Sequence, residues 1–449
     1  MRLGFRALAA LLLVFAAPIA TAQPAPAPTS TVQVQRLPPV TTAEALRPVF
    51  DAQKATDAYL ATVKGEARAR SDSYFEGGYV LLVVDTVYAI VVAGLLLWLR
   101  ISAWMRDVAQ RITRSRFLQV PIYVALFLIV FTIATFPLAV YESFFREHAY
   151  GLSNMTFLAW LGDFAKDFGI QLVFGAIVLT LIYAAIRASG RSWWIWGWLI
   201  ALLFQVFAQV IQPVAISPLF NHYDSLKAGP VKTEILSLAH GNGIPANDVY
   251  EFNASRQSKR ISANVSGFLG TTRISMTDNL IERCSPREII AVLGHEMGHY
   301  VLDHNLIGLT WQGLFLFIAF WFVNWGFRWL TGIFGGNWDV RTIDDPAGLP
   351  VAVILISLFA FVSTPLTNSM TRTLEAQADI FGLNTARQPD GFATVTLKLS
   401  EYRKLDPSPL EEFVFYDHPS GRTRIFAAMR WKAAHLNEPD IKAGPVSPQ

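Results

Sequence analysis

Cysteine is almost absent from this 449-residue chain, where Cys284 stands alone. One thiol cannot close an internal disulfide or build a Cys-type zinc site, so any metal must sit on histidine and carboxylate. Charge is also scarce. Asp, Glu, Lys and Arg make up 16% of the residues, well below the roughly 25% of soluble domains. The 37 basic and 34 acidic side chains leave a formal +3. That is too small a surplus for nucleic acid, and no basic run with interleaved aromatics occurs, so no nucleic-acid partner is expected.

Apolar residues fill the gap. They reach 53%, with 32 Phe and 13 Trp, a composition suited to lipid-facing helices with interfacial aromatic belts. Six stretches attain the length of about 20 residues that spans a bilayer. They are residues 77–99, 117–140, 168–186, 193–216, 306–327 and 347–369. Only the first carries a charge, Asp85. A charge at that depth faces protein or a wet cavity, and either an interhelix hydrogen bond or a polar chamber satisfies it.

Before the spans lies a secretory pattern. Arg2 and Arg6 open it, an apolar run covers 7–19, and Ala20-Thr21-Ala22 is a small-x-small cleavage site. The expected division is a signal peptide or signal anchor at 1–22 and an extramembrane linker and polar helix at 23–76. Four transmembrane helices follow at 77–216, a peptidase segment at 217–305, two more spans at 306–369, and the C-terminal part of the peptidase domain at 370–449. The fold class expected is mainly α, a polytopic membrane helical bundle or barrel with a small β edge.

Chemistry belongs in the two polar segments. The string His295-Glu296-Met297-Gly298-His299 follows a helix start: Ser285 as N-cap, Pro286 at the first helical position and Glu288 closing a capping box. Four helical residues turn about 400°, which leaves His295 and His299 about 40° apart on one face. Two neutral imidazoles so placed can chelate one zinc ion, with Glu296 in reach of its water as general base. A lone histidine on an apolar helix is usually a core residue; this pair, around a Glu and among only eight histidines, is not.

A catalytic zinc needs a third protein ligand. Glu375 and Asp379 stand i, i+4 in Thr373-Leu374-Glu375-Ala376-Gln377-Ala378-Asp379. Spacing alone leaves two readings, a ligand with its hydrogen-bonding partner or a solvated acidic face. His418 and Arg424 flank a Pro-Ser-Gly turn. By themselves they fit an exposed turn as well as an oxyanion site. Residues 273–276 alternate like a strand, which would give a substrate peptide an edge to pair with near 261–276.

Taken together, the helix motif, the Glu-Ala-Gln-Ala-Asp string and the His-Pro-x-x-x-x-Arg turn resemble the CAAX prenyl protease type I family of multi-spanning zinc metalloendopeptidases. The resemblance runs from about Phe117 to Arg430 and takes in the Tyr141 to Leu152 loop and Ser217-Pro218-Leu219-Phe220-Asn221. It implies that His295, His299 and Glu375 ligate one zinc ion and that Glu296 is the base. It makes Asp379 the hydrogen-bond partner of a ligand histidine, and His418 and Arg424 the groups meeting substrate carbonyl and oxyanion. The family's substrate-clamping Asn falls on Asn264 with a gap, or on Ser262 without one. Implied substrates are peptides or proteins, prenylated in eukaryotic relatives, and the bilayer is the other partner. A general quality-control protease of the membrane, or an inactive scaffold, are the rival readings; Glu296, which a structural zinc site does not need, speaks against the scaffold. The expected location is a bacterial inner membrane, and the arginine-rich loops and the signal lead to an expected site on the extracytoplasmic side.

Overall fold

A computed structural model describes residues 50–267 and 272–442; the signal-like and linker segments before Phe50 lie outside them. The chain enters through α1 (Ala52–Leu60), whose N-cap Asp51 accepts from the amides of Gln53 and Lys54. The first span, α2 (Gly65–Trp98), has 34 residues and is about 50 Å long. It outreaches a hydrocarbon core of about 30 Å, so its polar first turns stand clear of the membrane. Asp85 is exposed on α2.

An amphipathic helix, α3 (Ile101–Ile112), and the span α4 (Arg116–Val140) come next, and α4 runs on into a π-helical turn at Tyr141–Arg146. Then α5 (Phe157–Ser189) and α6 (Trp193–Ile211) share one 63-residue apolar stretch, Phe157–Leu219. It folds back at Gly190, whose φ of 56° and ψ of −115° suit only glycine. Phe174 of α5 packs on Phe204 and Phe207 of α6, at ring separations of 5.4 and 6.3 Å. The six expected apolar stretches lie on six helices, α2, α4, α5, α6, α10 and α11, which make five continuous apolar segments when α5 and α6 are taken together. The third and fourth are the two arms of one hairpin, joined by the tight turn Gly190–Ser192. Outward-facing Val87, Ile133, Leu203, Trp325 and Val362 are exposed, an apolar surface that needs lipid around it.

The peptidase segment opens with β1 (Tyr223–Ser225), α7 (Pro230–Gly241), β2 (Val249–Phe252), β3 (Ala263–Ser266) and β4 (Arg273–Thr277). The sheet order is β1-β2-β4-β3, with β2 and β4 parallel and the other pairs antiparallel. Strands β1 and β3 form the two edges and β4 is interior, its Ile274, Ser275 and Met276 all buried. One face of the sheet packs Val249, Ile274 and Met276 on Leu293 and Met297. After the short α8 (Asp278–Arg283) comes α9 (Pro286–Val301), which carries the histidine motif. Its capping box is present as expected: Glu288 accepts from Ser285 N–H at 2.7 Å, and Lys398 holds the same carboxylate at 2.7 Å.

Spans α10 (His304–Trp338) and α11 (Leu349–Ala386) follow, then α12 (Pro389–Leu399), α13 (Pro409–Phe415) and α14 (Gly421–Ala434). Helix α11 has 38 residues and emerges from the apolar zone to run alongside α9. The N-terminal α1 docks on this C-terminal unit through Asp57–Arg422 at 2.8 Å and Tyr59–Asp390 at 2.6 Å. At the other end, Arg106 of α3 is buried and bound to Asp339 at 2.7 Å and Asp345 at 3.0 Å, between α10 and α11.

Candidate metal centre

Small residues bring the site together. Gly294 and Gly298 of α9 face Ala378, Gly382 and Ala386 of α11. A Cβ on Gly298 would stand 3.1 Å from Ala378 Cα, and one on Gly294 would stand 2.9 Å from Ala386 Cβ. Backbones can approach this closely only where side chains are missing. Residues 378, 382 and 386 recur every four positions, as do 294 and 298, so both stripes lie along one seam. That seam sets His295 and His299 directly beside Glu375 and Asp379.

Nε2 of His295 and Nε2 of His299 are 3.1 Å apart. Glu375 places Oε2 3.2 Å from the first and Oε1 3.4 Å from the second. Metal–ligand bonds of about 2.0–2.1 Å at a tetrahedral centre separate the donor atoms by about 3.4 Å. The three side chains are thus spaced for one ion, and their ligand atoms all fall within 4.8 Å of each other. Oε2 of Glu375 is buried among ring nitrogens, 3.2 Å from His295 and 3.3 Å from His418, and a shared cation would satisfy all of them at once. Asp379 sits behind the cluster, with Oδ1 2.8 Å from His295 Nδ1. A histidine that ligates through Nε2 carries its proton on Nδ1, and an acceptor there fixes ring and tautomer.

Glu296 lines two cavities beside the trio. One, of about 190 Å³, is bounded by His295, His418, Arg424 and apolar Leu280, Val292 and Phe392. The other, of about 250 Å³, reaches from Glu296 and His299 to Asn264 and Arg273. Glu296 lies where they meet. Burial pushes its carboxyl up to about 7; His295 and Arg424 oppose this and Glu375 adds to it. Burial also disfavours the charged form of His295, but hydrogen bonds to Asp379 and Glu375 outweigh it and lift that imidazole to about 9. His299, desolvated and facing His295, drops to about 4.

His418 reaches the cluster from the turn before α14, with Nε2 3.3 Å from Glu375 Oε2 and Nδ1 2.8 Å from Asp417 Oδ1. Arg424 lines the smaller cavity with Glu296 and His418 and is also tied to Asp379. Its Nε and Nη2 donate to Asp379 at 2.9 and 2.6 Å, and the pair is buried. That edge of the guanidinium is committed to Asp379. Asn264 lies on edge strand β3 opposite Ser275, its side chain exposed toward the larger cavity. Ser262, the ungapped alternative, precedes β3 and exchanges backbone and hydroxyl hydrogen bonds with Thr277. Residue-by-residue reasoning missed His304 and Gln377: Nδ1 of His304 is 3.1 Å from Nδ1 of His299, and its Nε2 is 3.1 Å from Gln377 Oε1. The five-residue step from His299 to His304 was a visible signal. The glycine and alanine stripes were another.

Known proteins are similar to this chain. Residues 225–432 match the family model for peptidase family M48, and residues 51–222 match one for the CAAX prenyl protease N-terminal region with five membrane helices. An uncharacterized metalloprotease of Bacillus subtilis, YhfN, is 30% identical over 312 residues, covering 69% of this chain and 73% of the relative. The chain belongs to peptidase family M48. CAAX prenyl protease 1 of Saccharomyces cerevisiae is 28% identical over 313 residues, covering 66% of this chain and 69% of that protein. The crystal structure of S. mikatae Ste24p superposes with a TM-score of 0.69 at 20% identity, over 84% of this chain and 95% of that one. M48 membership makes the chain a membrane-embedded metallopeptidase of the CAAX prenyl protease type.

Proposed function

We propose that this M48 enzyme holds one zinc ion on His295, His299 and Glu375 and cleaves membrane-associated proteins or peptides on the extracytoplasmic side. The observation that carries the metal reading is the trio of donor atoms from His295, His299 and Glu375 at mutual distances of 3.1, 3.2 and 3.4 Å. Two imidazoles and a carboxylate form a donor set that suits zinc in a hydrolytic site. Bound there, zinc would polarise the scissile carbonyl and acidify the attacking water.

The remaining work falls to side chains. Glu296 takes the water proton and passes it to the leaving amine, and a carboxyl held near neutrality can do both. His418 is placed to donate to the developing oxyanion. Asp379 orients His295, and Arg424 holds Asp379 in place, a positioning role. The substrate backbone pairs with edge strand β3, and Asn264 clamps it. The cavities on either side of Glu296 then take the residues flanking the scissile bond.

Metal analysis of the purified full chain tests the ion. Cleavage of a casein-like and a farnesylated peptide, with Glu296→Gln as control, tests the substrate. One zinc per chain, lost in Glu375→Ala, is expected. Equal occupancy in that variant after mild chelation removes Glu375 from the site. Cleavage of the unmodified peptide as fast as the farnesylated one favours general membrane-protein turnover over lipid-directed processing.

A further inference from the structure

His299 lacks the carboxylate support that Asp379 gives His295. Its Nδ1 faces another imidazole, that of His304, at 3.1 Å. His304 is buried, and it is the first residue of α10. The chain reaches it through Asp303, which adopts left-handed φ and ψ of 54° and 31°. The far nitrogen of His304 faces Gln377 Oε1 at 3.1 Å, and Gln377 stands two residues beyond Glu375 on α11.

The protons in this chain of contacts have one arrangement once His299 ligates through Nε2. A neutral imidazole coordinating through Nε2 keeps its hydrogen on Nδ1. His299 Nδ1–H must then donate, so Nδ1 of His304 must accept. A neutral His304 accepting at Nδ1 carries its own hydrogen on Nε2, where the carbonyl oxygen of Gln377 accepts it. Donor meets acceptor at both joints.

We propose that His304, fixed by Gln377, is the positioning residue for ligand His299 and so a determinant of how tightly this site holds its metal; this rests on the reading of His299 as a ligand. The relay links the helix bearing both histidines with the first turn of one span and with the helix bearing Glu375. Orienting partners of ligand histidines typically carry 10–100-fold in metal affinity or activity. The two ligands also differ in kind. His295 leans on an anion, and His299 on a neutral ring, so His299 is the weaker donor and depends more on orientation.

An isosteric pair tests this in the full-length protein in detergent. Asn Oδ1 occupies the same branch position as His Nδ1, whereas Leu has the shape of Asn without an acceptor. The readout is zinc affinity, measured by competition with a chromogenic chelator, supported by the visible spectrum of the cobalt(II)-loaded protein. His304→Leu is expected to bind zinc about 10–100-fold more weakly and to shift the cobalt bands. His304→Asn should stay within a few-fold of wild type and keep the bands. Gln377→Leu should fall between them. Equal losses in Leu and Asn would mean that the ring acts by packing alone, and unchanged affinity in His304→Leu would end the proposal outright. His299→Ala separates this inference from the site assignment. If that variant keeps full affinity, the ligand reading has failed, whatever the His304 variants do.

Discussion

Gly382 of α11 lies against the backbone of His295, so closely that a Cβ on it would stand 2.8 Å from the His295 amide nitrogen. The metal site therefore depends on a missing side chain. Gly382→Ala adds helix propensity of up to about 1 kcal/mol, yet it must push α9 from α11, and overpacking costs about 1–3 kcal/mol. We expect zinc affinity to fall at least about tenfold, since displacing one helix separates His295 and His299 from Glu375. Gly308 of α10 has nothing within 4 Å of its added Cβ, so Gly308→Ala is the control. Chelator competition on the two variants decides; equal affinities would show that the seam tolerates widening.

Glu296→Gln should retain metal and lose turnover. The amide keeps size and polarity, and the ligand trio is untouched, but the proton acceptor is gone. Metal content and single-turnover hydrolysis on the same preparation check it. Near-normal hydrolysis in the variant would move the general base elsewhere.

His418→Ala and Arg424→Ala should part company, although the resemblance assigns them one task. His418 is partly exposed and touches the cluster from outside, so its loss should lower turnover roughly 100–1,000-fold and leave zinc bound. Removing Arg424 leaves Asp379 as a buried charge without its guanidinium, a loss of about 3–5 kcal/mol for such pairs. That variant should be less stable and hold zinc less tightly. Thermal unfolding with and without zinc separates the cases. Parallel behaviour of both variants, with metal and stability intact, would return Arg424 to the oxyanion.

Much of this was legible in the chain. The capped helix, the His295–His299 pair and the apolar stretches all follow from local periodicity, and local periodicity is what short-range physics fixes. Pairing Glu375 with them needed either the resemblance or the seam, because a carboxylate at i, i+4 from another looks the same on a solvated face. Arg424 could not be placed, since which anion a guanidinium takes depends on a packing contact between α11 and α14. The two spans on either side of Gly190 follow from hydropathy, whereas the tightness of the turn joining them does not, because hydropathy reports only apolar length.

Zinc affinity should rise with pH. In the metal-free protein His295 is held up to about 9, so a proton must leave it before the nitrogen can ligate. Its raised value stabilises the metal-free fold fully below the unfolded value of about 6.5, and that stabilisation is lost as pH climbs through about 9. Metal competes with the same proton. Between pH 6 and 8 the apparent affinity should therefore climb about tenfold per unit for each proton released. Asp379→Asn weakens the pull on that proton and should flatten the slope. A pH-independent affinity in wild type would contradict the protonated His295.

The side of the membrane that the site faces is the last expectation to test, and it turns on basic residues in short loops. The segment between the first two spans holds Arg100, Arg106, Arg111, Arg114 and Arg116, and the turn between α5 and α6 is flanked by Arg187 and Arg191. Both lie on one side. Arg106 is buried against Asp339 and Asp345, yet acidic partners weigh little in this rule, so it still counts. The opposite connection, residues 141–167 between the second and third apolar stretches, is longer and holds only Arg146 and Lys166. The arginine-rich side should therefore be cytoplasmic. The docking of α1 on α14 puts residues 52–60 on the same side as the peptidase unit. An even number of crossings between them, with α5 and α6 counted as two, requires the same. The whole site then faces away from the cytoplasm. A fusion of alkaline phosphatase after Gln449 should be active, and a green fluorescent protein fused there should stay dark. The reverse pattern, a dark phosphatase with a bright fluorescent fusion, would turn the protein over and put its zinc site in the cytoplasm.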